Sequence, residues 1–375
     1  MKSPSKTVEK ASIAIRKRFL APKLEDVSRL LHLIQNVPDH RPDIDSWHQE
    51  TRDLVRSLIT TRVSSDDLSS ILTGLIGYKA TGVTPEATQL SLVRAYCNTT
   101  GFLQELLHRI MFHKTEIEAP EKIPFSSFFG TVSEKTTRKI LNELEEFGYS
   151  VMPFQLPMET IGAIKSHSQT LNYALKERFN DNVPNAIKTI DPTRPPESVS
   201  AYANTDDVLG SDLLKDLMHD PLMVYLASAH MRADVAPIDA TLWYSFPSPS
   251  KAASSVSAQL YHFDLDTLRW LKVFYYLSDV TLENGPHTYV EGSHIPGAKN
   301  SRLLKMGYAR ITDSEMAAAQ PQKSVTITGP AGTIILADTR CFHKGTPLNT
   351  GHRLIFSPIY APSKIGYFFG RTRKA

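Results

Sequence analysis

Apolar and polar positions alternate with two different periods along this chain. From about residue 8 to residue 112 the apolar residues recur at spacings of three and four. Val27, Leu30, Leu31, Leu33 and Ile34 form one such set, Leu54, Leu58 and Ile59 a second, and Leu72, Leu75 and Ile76 a third. That spacing puts them on one face of amphipathic helices. Ser64-Ser65-Asp66-Asp67 supplies an N-cap and early acids for the third set, and a further helix is predicted over Phe102–Phe112. Lys114 to Gly130, with Pro120 and Pro124, reads as a connector. The helical pattern resumes at Ser133, with a run over Thr137–Phe147 that stops at Gly148. A helix over Pro157–Phe179 follows, then a polar loop over Asn180–Asp207 long enough for a lid, then a helix over Ser211–Ala229.

From about residue 232 the period shortens. Short runs rich in β-branched and aromatic residues predict strands at Asp239–Phe246, Ala258–Phe263, Leu268–Ser278, Thr288–Val290, Ser324–Thr328, Gly332–Ala337, Cys341–His343 and Arg353–Ala361. Gly285-Pro286, Gly329-Pro330 and Asn349–Gly351 punctuate them, and Thr312-Asp313-Ser314-Glu315 is a capping box for a short helix. Many short strands with few helices between them favour a jelly roll over a βαβ sheet. The fold class is therefore α+β: a jelly-roll, cupin-like core with flanking helices and an α-helical N-terminal region. The domains expected are 1–130, of unassigned role, and 131–375.

Composition narrows the function class. The chain has 375 residues, 41% hydrophobic and 22% charged, as in ordinary soluble domains. A net charge of +3 gives no general pull towards nucleic acid, and no apolar run approaches a membrane span. Seven Lys or Arg and one acid fall in the first 23 residues. That segment reads as a solvated helix face, with a targeting segment as the alternative. Arg371, Arg373 and Lys374 end the chain, as solvated residues or as an attraction for an anionic substrate. Two cysteines, Cys97 and Cys341, make no disulfide framework and no zinc site, which suits a reducing cytoplasm.

The candidate chemistry lies in His262-Phe263-Asp264-Leu265, answered by His343 and Arg353. Residues two apart on a strand point the same way, so His262 and Asp264 can bind one face of a metal. His343, on another predicted strand, can complete two imidazoles and a carboxylate, the set that leaves iron(II) open to oxygen. Arg353, ten residues on, can grip a carboxylate in bidentate fashion. Together they suggest a 2-oxoglutarate-dependent oxygenase. Lys272, on the strand after this motif, is a second candidate for that carboxylate; the alternative is an outward lysine whose stem lies along the surface. Asp266 suits an outer position around the metal, and Cys341 a buried bystander.

The wider string is more specific. Tyr261-His262-Phe263-Asp264-Leu265-Asp266, then Leu271 to Val280, then Glu283-Asn284-Gly285-Pro286, then Gly292-Ser293-His294, resembles the phytanoyl-CoA dioxygenase family. The resemblance covers roughly 133–361. It implies a double-stranded β-helix, and iron(II), 2-oxoglutarate and dioxygen as cofactor and co-substrates, with ascorbate as an accessory reductant. It makes His262, Asp264 and His343 the iron ligands and Arg353 the partner of the distal carboxylate. His294 falls in the family's Gly-Ser-His turn. Two departures stand out. The family often has Ser two residues after the distal His, where this chain has Gly345 with Thr346 next, so Thr346 is a candidate hydroxyl. The gap from His343 to Arg353 is also about one residue short. The expected reaction is hydroxylation or desaturation of a small molecule, not halogenation, because Asp264 keeps its carboxylate. Two rival readings are a metal cupin enzyme that needs no 2-oxoglutarate and a non-catalytic jelly-roll binding protein. The front 130 residues could be an interaction module or a cap on the barrel.

Overall fold

The structure is a computed structural model that describes residues 62–112, 125–178, 182, 184–248, 258–305, 307 and 309–366. The helical sets at Val27–Ile34 and Leu54–Ile59, the basic N-terminal segment and the C-terminal tail lie outside them. The chain divides into two compact units. No helix among the described residues is long and apolar enough to cross a membrane.

The first unit contains α1 (Ser65–Thr81), α2 (Glu86–Thr99) and α3 (Phe102–Phe112). Ser64 caps α1 by accepting from the Asp67 amide, and Gly82 ends it in the left-handed region at φ 69°. Leu75, Leu92, Tyr96, Leu103 and Leu107 are buried. The helices α1 and α2 meet at a glycine. A Cβ on Gly74 would lie 2.0 Å from Thr88 Oγ1, whose hydroxyl donates to Ser70 O at 2.9 Å. Arg94 of α2 reaches back to Asp67 at 2.5 Å.

The second unit holds the rest of the named elements: α4 (Glu134–Phe147), β1 (Tyr149–Val151), α5 (Met158–Ser168), β2 (Tyr173–Arg178), β3 (Ala186–Ile187), β4 (Ser198–Ala203), α6 (Thr205–Gly210), α7 (Asp212–Met218), α8 (Pro221–Met231), β5 (Ala236–Ser245), β6 (Leu271–Tyr276), β7 (His287–Val290), α9 (Asp313–Ala319), β8 (Ser324–Ile327), β9 (Ile334–Ala337), β10 (His343–Gly345) and β11 (Arg353–Ala361). Among the described residues, eight strands form one antiparallel sheet in the order β1-β9-β6-β11-β5-β4-β2-β3, and three form a second in the order β10-β7-β8. Isolated bridges extend the small sheet: His262 pairs with His343, and Tyr261 with Ile311.

Alternation along the strands selects the face of the large sheet that carries the site. Register pairs Lys272 with Ala337, Phe274 with Ile335, Tyr276 with Ile355, and Arg353 with Ser245. Phe274, Tyr276, Ile335, Ala337 and Ile355 pack with Tyr289 and Ile327 of the small sheet into one buried cluster. The core thus sits between the sheets.

Several predicted elements are corrected. The helix expected over Pro157–Phe179 ends at Ser168, and Tyr173–Arg178 is a strand. Tyr173 and Leu175 are buried while Ala174 and Lys176 are exposed, the two-residue period of a sheet. The expected loop Asn180–Asp207 contains two strands, of which β4 bridges β2 to β5. The helix expected over Ser211–Ala229 is two helices, because Asp220 caps a new one with Pro221 in its first turn. The expected strand Ala258–Phe263 is reduced to bridges at Tyr261 and His262. The strand at Tyr149–Val151 has no counterpart among the predicted elements, because three residues carry too little pattern.

A candidate metal centre and a buried arginine

His262 reaches the site from the edge of the small sheet, through two backbone bonds with His343. The His262 amide donates to His343 O at 2.9 Å, and the His343 amide to His262 O at 2.8 Å. Asp264 is fixed by its own amide, which donates to Thr339 O at 2.9 Å. These bonds bring one donor atom from each of His262, Asp264 and His343 within 4.8 Å of the others. His262 Nε2 lies 3.8 Å from Asp264 Oδ1, and His343 Nε2 lies 3.7 Å from Asp264 Oδ2.

The tautomers suit a metal. His262 Nδ1 is 2.9 Å from Leu260 O, and His343 Nδ1 is 3.0 Å from Cys341 O. A carbonyl only accepts, so each Nδ1 carries the proton and each Nε2 presents its lone pair to the centre. Burial, with the neighbouring imidazole, pushes His262 down to about 3, and burial also lowers His343. Both rings are therefore neutral at pH 7. Burial works against ionisation of Asp264, but the Lys272 ammonium and the imidazoles outweigh it and hold the carboxyl below its usual range. Two neutral imidazoles and one carboxylate on one side of a space fit a divalent iron with open positions opposite.

Lys272 faces inward and is doubly paired. Its Nζ lies 2.7 Å from Asp264 Oδ2 and 2.8 Å from Asp266 Oδ2. That pairing answers the cost of burying an ammonium. Burial alone would lower Lys272, and the two carboxylates reverse this and raise it. Lys272 therefore stays charged, with its bonding directed at the candidate ligand rather than at a distant carboxylate.

Arg353 is also buried. It donates to Gly285 O and, at 3.2 Å, to Ser245 Oγ, while its Nε has no hydrogen-bond partner. No carboxylate pairs with it among the described residues. A guanidinium buried against neutral groups is incomplete without an anion, as a site for the far carboxylate of 2-oxoglutarate requires. Thr346 is placed elsewhere: its Oγ1 lies 3.5 Å from Thr288 Oγ1. A Cβ on Gly345 would come 3.4 Å from Arg353 Nη2, so the glycine keeps the approach to the guanidinium clear. The hydroxyl at Arg353 comes instead from Ser245, one strand away. Only the β5–β11 register could have revealed it.

Other side chains pack around this centre. Trp243 takes the inner face, with Phe274 edge-on at 6.4 Å, whereas Tyr244 packs with Tyr173 and Phe246 on the other face. His287, not singled out in the sequence, packs at a tilt against Phe274, ring centroids 4.5 Å apart, and bonds Tyr276 Oη through Nδ1 at 3.0 Å. Cys341 is buried against Phe147 O and His294 Nδ1, at 3.5 and 3.6 Å.

Comparison with known proteins bears on the family. No curated protein sequence matches the chain. Solved structures that align with it include the non-haem α-ketoglutarate-dependent epimerase SnoN from nogalamycin biosynthesis. That alignment has 17% identity and a TM-score of 0.44, over 61% of this chain and 84% of SnoN. HygX from Streptomyces hygroscopicus, with nickel and 2-oxoglutarate bound, aligns at 16% identity and a TM-score of 0.43, over 64% of this chain and 94% of its own. EctD from S. alaskensis, with bound Fe, aligns at 18% identity and 0.43, over 62% and 80%. The sequence signature described as phytanoyl-CoA dioxygenase (PhyH) matches residues 144–354, more than half of the chain and the whole of the centre described above. The chain belongs to the phytanoyl-CoA dioxygenase family, a family of iron(II)- and 2-oxoglutarate-dependent enzymes.

Proposed function

We propose that this protein hydroxylates an unactivated C–H bond of a small molecule, on a double-stranded β-helix formed by its two sheets. His262, Asp264 and His343 hold the iron(II), and Arg353 with Ser245 holds the distal carboxylate of 2-oxoglutarate. The observation that carries this reading is the pairing of two cues. Two Nε2 lone pairs and one carboxylate converge, and a buried arginine has no carboxylate partner among the described residues.

When bound, iron and 2-oxoglutarate supply oxidative decarboxylation and attack on the C–H bond. The chain's own residues prepare that chemistry. The carbonyls of Leu260 and Cys341 fix the tautomer and tilt of each ligand imidazole. Lys272 holds Asp264 Oδ2 and so fixes the carboxylate rotamer. Asp266 in turn fixes Lys272. Phe274, Tyr276 and Tyr289 wall the inner face and keep bulk water from it. With Asp264 present as a carboxylate donor beside the two imidazoles, the residues would favour hydroxylation over halogenation.

Turnover tests the reading directly. The wild-type protein with iron(II) and 2-oxoglutarate should release succinate, and Asp264→Ala should lower that release at least ~100-fold, in line with loss of a metal ligand. Arg353→Gln should chiefly raise the KM for 2-oxoglutarate, by ~10-fold or more. Succinate release that persists in Asp264→Ala would sink the ligand assignment. Turnover without 2-oxoglutarate would point to a cupin chemistry of another kind.

A further inference from the structure

The ribbon that carries His262 continues one strand further. The Tyr261 amide donates to Ile311 O at 3.0 Å, and the Ile311 amide to Tyr261 O at 2.9 Å. In an antiparallel pair of this kind the next positions, His262 and Arg310, stand opposite one another, and opposed residues project from the same side. The other side of the ribbon belongs to Tyr261 and Lys344. There Lys344 Nζ sits 4.8 Å over the Tyr261 ring and 2.6 Å from Asp313 Oδ1. His262, His343 and Arg310 therefore share the face that carries the candidate metal centre.

The cations around the centre can be sorted by what answers them. Lys272 is answered by Asp264 and Asp266, Lys344 by Asp313, and Arg340 by Asp338 at 2.6 Å. Arg353 is buried and is assigned above to 2-oxoglutarate. Arg310 is exposed and pairs with no acid among the described residues. Among the described residues it is a cation without an acidic partner, on the face of the metal ligands and reachable from solvent.

We propose that Arg310 is the anion-recognition point of the substrate subsite. The substrate carries an oxyanion, a carboxylate, sulfate or phosphate ester, that Arg310 holds at the rim while the C–H bond to be attacked lies over the centre. A guanidinium presents two parallel N–H donors to such a group. The body of the substrate would meet an aromatic wall. Tyr202 and Trp243 stack at 5.9 Å on the inner sheet face and remain only half-buried. This inference rests on the reading of His262, Asp264 and His343 as the metal site.

Aromatic acids are therefore suitable probes. The holoprotein, loaded with nickel(II) and saturating 2-oxoglutarate, is titrated calorimetrically with benzoate, phenyl sulfate and phenyl phosphate, and with neutral benzamide. At least one anion should bind ~10-fold or more tightly than benzamide, the scale of one charge-assisted hydrogen-bonded pair. The anion that gains most identifies the headgroup. In Arg310→Gln that preference should shrink to within about twofold, and Arg310→Lys should keep part of it. The arginine is exposed, so both variants should fold. Equal binding of anions and benzamide by the wild type, or an undiminished preference in Arg310→Gln, overturns the proposal. The underlying reading fails separately, if wild-type protein with iron(II) and 2-oxoglutarate forms no succinate in the absence of any probe.

Discussion

Lys272 shows how much a single residue's meaning depends on its partners. Beside Phe274 and Tyr276 in the sequence it could have been an outward stem or a second grip on 2-oxoglutarate. Its ion pairs with Asp264 and Asp266 make it instead the counter-ion of a buried pair of carboxylates. Burial pushes Asp266 up, and the negative charge of Asp264 adds to this. Removal of the ammonium therefore leaves two carboxylates unanswered. Lys272→Met should lower the stability of the metal-free protein by about 3–5 kcal/mol, the usual cost of breaking a buried ion pair from one side. Nickel(II) should restore part of the loss, because a divalent cation can take over the lost charge. Urea denaturation with and without nickel measures both; a loss below ~1 kcal/mol would show that the carboxylates are adequately hydrated without Lys272.

At the scale of elements, the capped helices α1 and α4 and the strands from β5 onwards were legible, and the segment between α5 and α8 was not. The α1 cap at Ser64, the stop of α4 at Gly148 and the capping box before α9 are all where the side-chain chemistry put them. The errors cluster at β2 and β4. Each is six residues long and follows or interrupts polar sequence. Their strand character comes from pairing with each other and with β5, which no local pattern displays. Helix crossing is equally hidden. Gly74 stands in an ordinary helical run, yet its missing side chain is what lets Thr88 of α2 approach. Gly74→Ala would press a methyl onto a short β-branched residue that cannot swing away. The gain in helix propensity, ~1 kcal/mol, is smaller than the ~1–3 kcal/mol of overpacking. The variant should lose net stability, read as a lower midpoint of the helical unfolding transition, whereas Gly77→Ala, with open space around its Cβ, should gain.

For the whole molecule, the charges that matter are the buried ones. His230 is buried against Asp338 at 3.3 Å and is lowered by that burial. His287 is held well below its ordinary value by burial and by the Arg353 charge. Both are neutral when folded and titrate near 6.5 when unfolded. The unfolded chain therefore binds more protons below that pH, and stability is complete above about 6.5 and declines as the pH falls beneath it. Asp338 behaves differently. Burial opposes its ionisation, but the Arg340 guanidinium prevails and holds it far below the usual carboxylate range. Its contribution persists above ~4 and is lost only in stronger acid. Urea midpoints of the metal-free protein should thus fall steadily between pH 7 and pH 5. A flat profile over that window would mean that these imidazoles are already protonated in the fold.

The sequence alone determined what depends on residue identity and short spacing. The period of the apolar positions separated helices from strands, and the caps set helix ends. The string from Tyr261 through Gly285-Pro286 to His294 indicated the family, because iron chemistry needs particular donors at particular intervals. Tertiary structure decided whatever depends on register across strands. Backbone pairing of His262 with His343 closes the donor set, and the β5–β11 register brings Ser245 to Arg353 where Gly345 leaves room. The Tyr261–Ile311 bridge carries Arg310, some fifty residues away in sequence, to the face of His262. The physical reason is common to all three. A hydrogen-bonded ladder fixes which side chains become neighbours, and a linear sequence does not record which ladder forms.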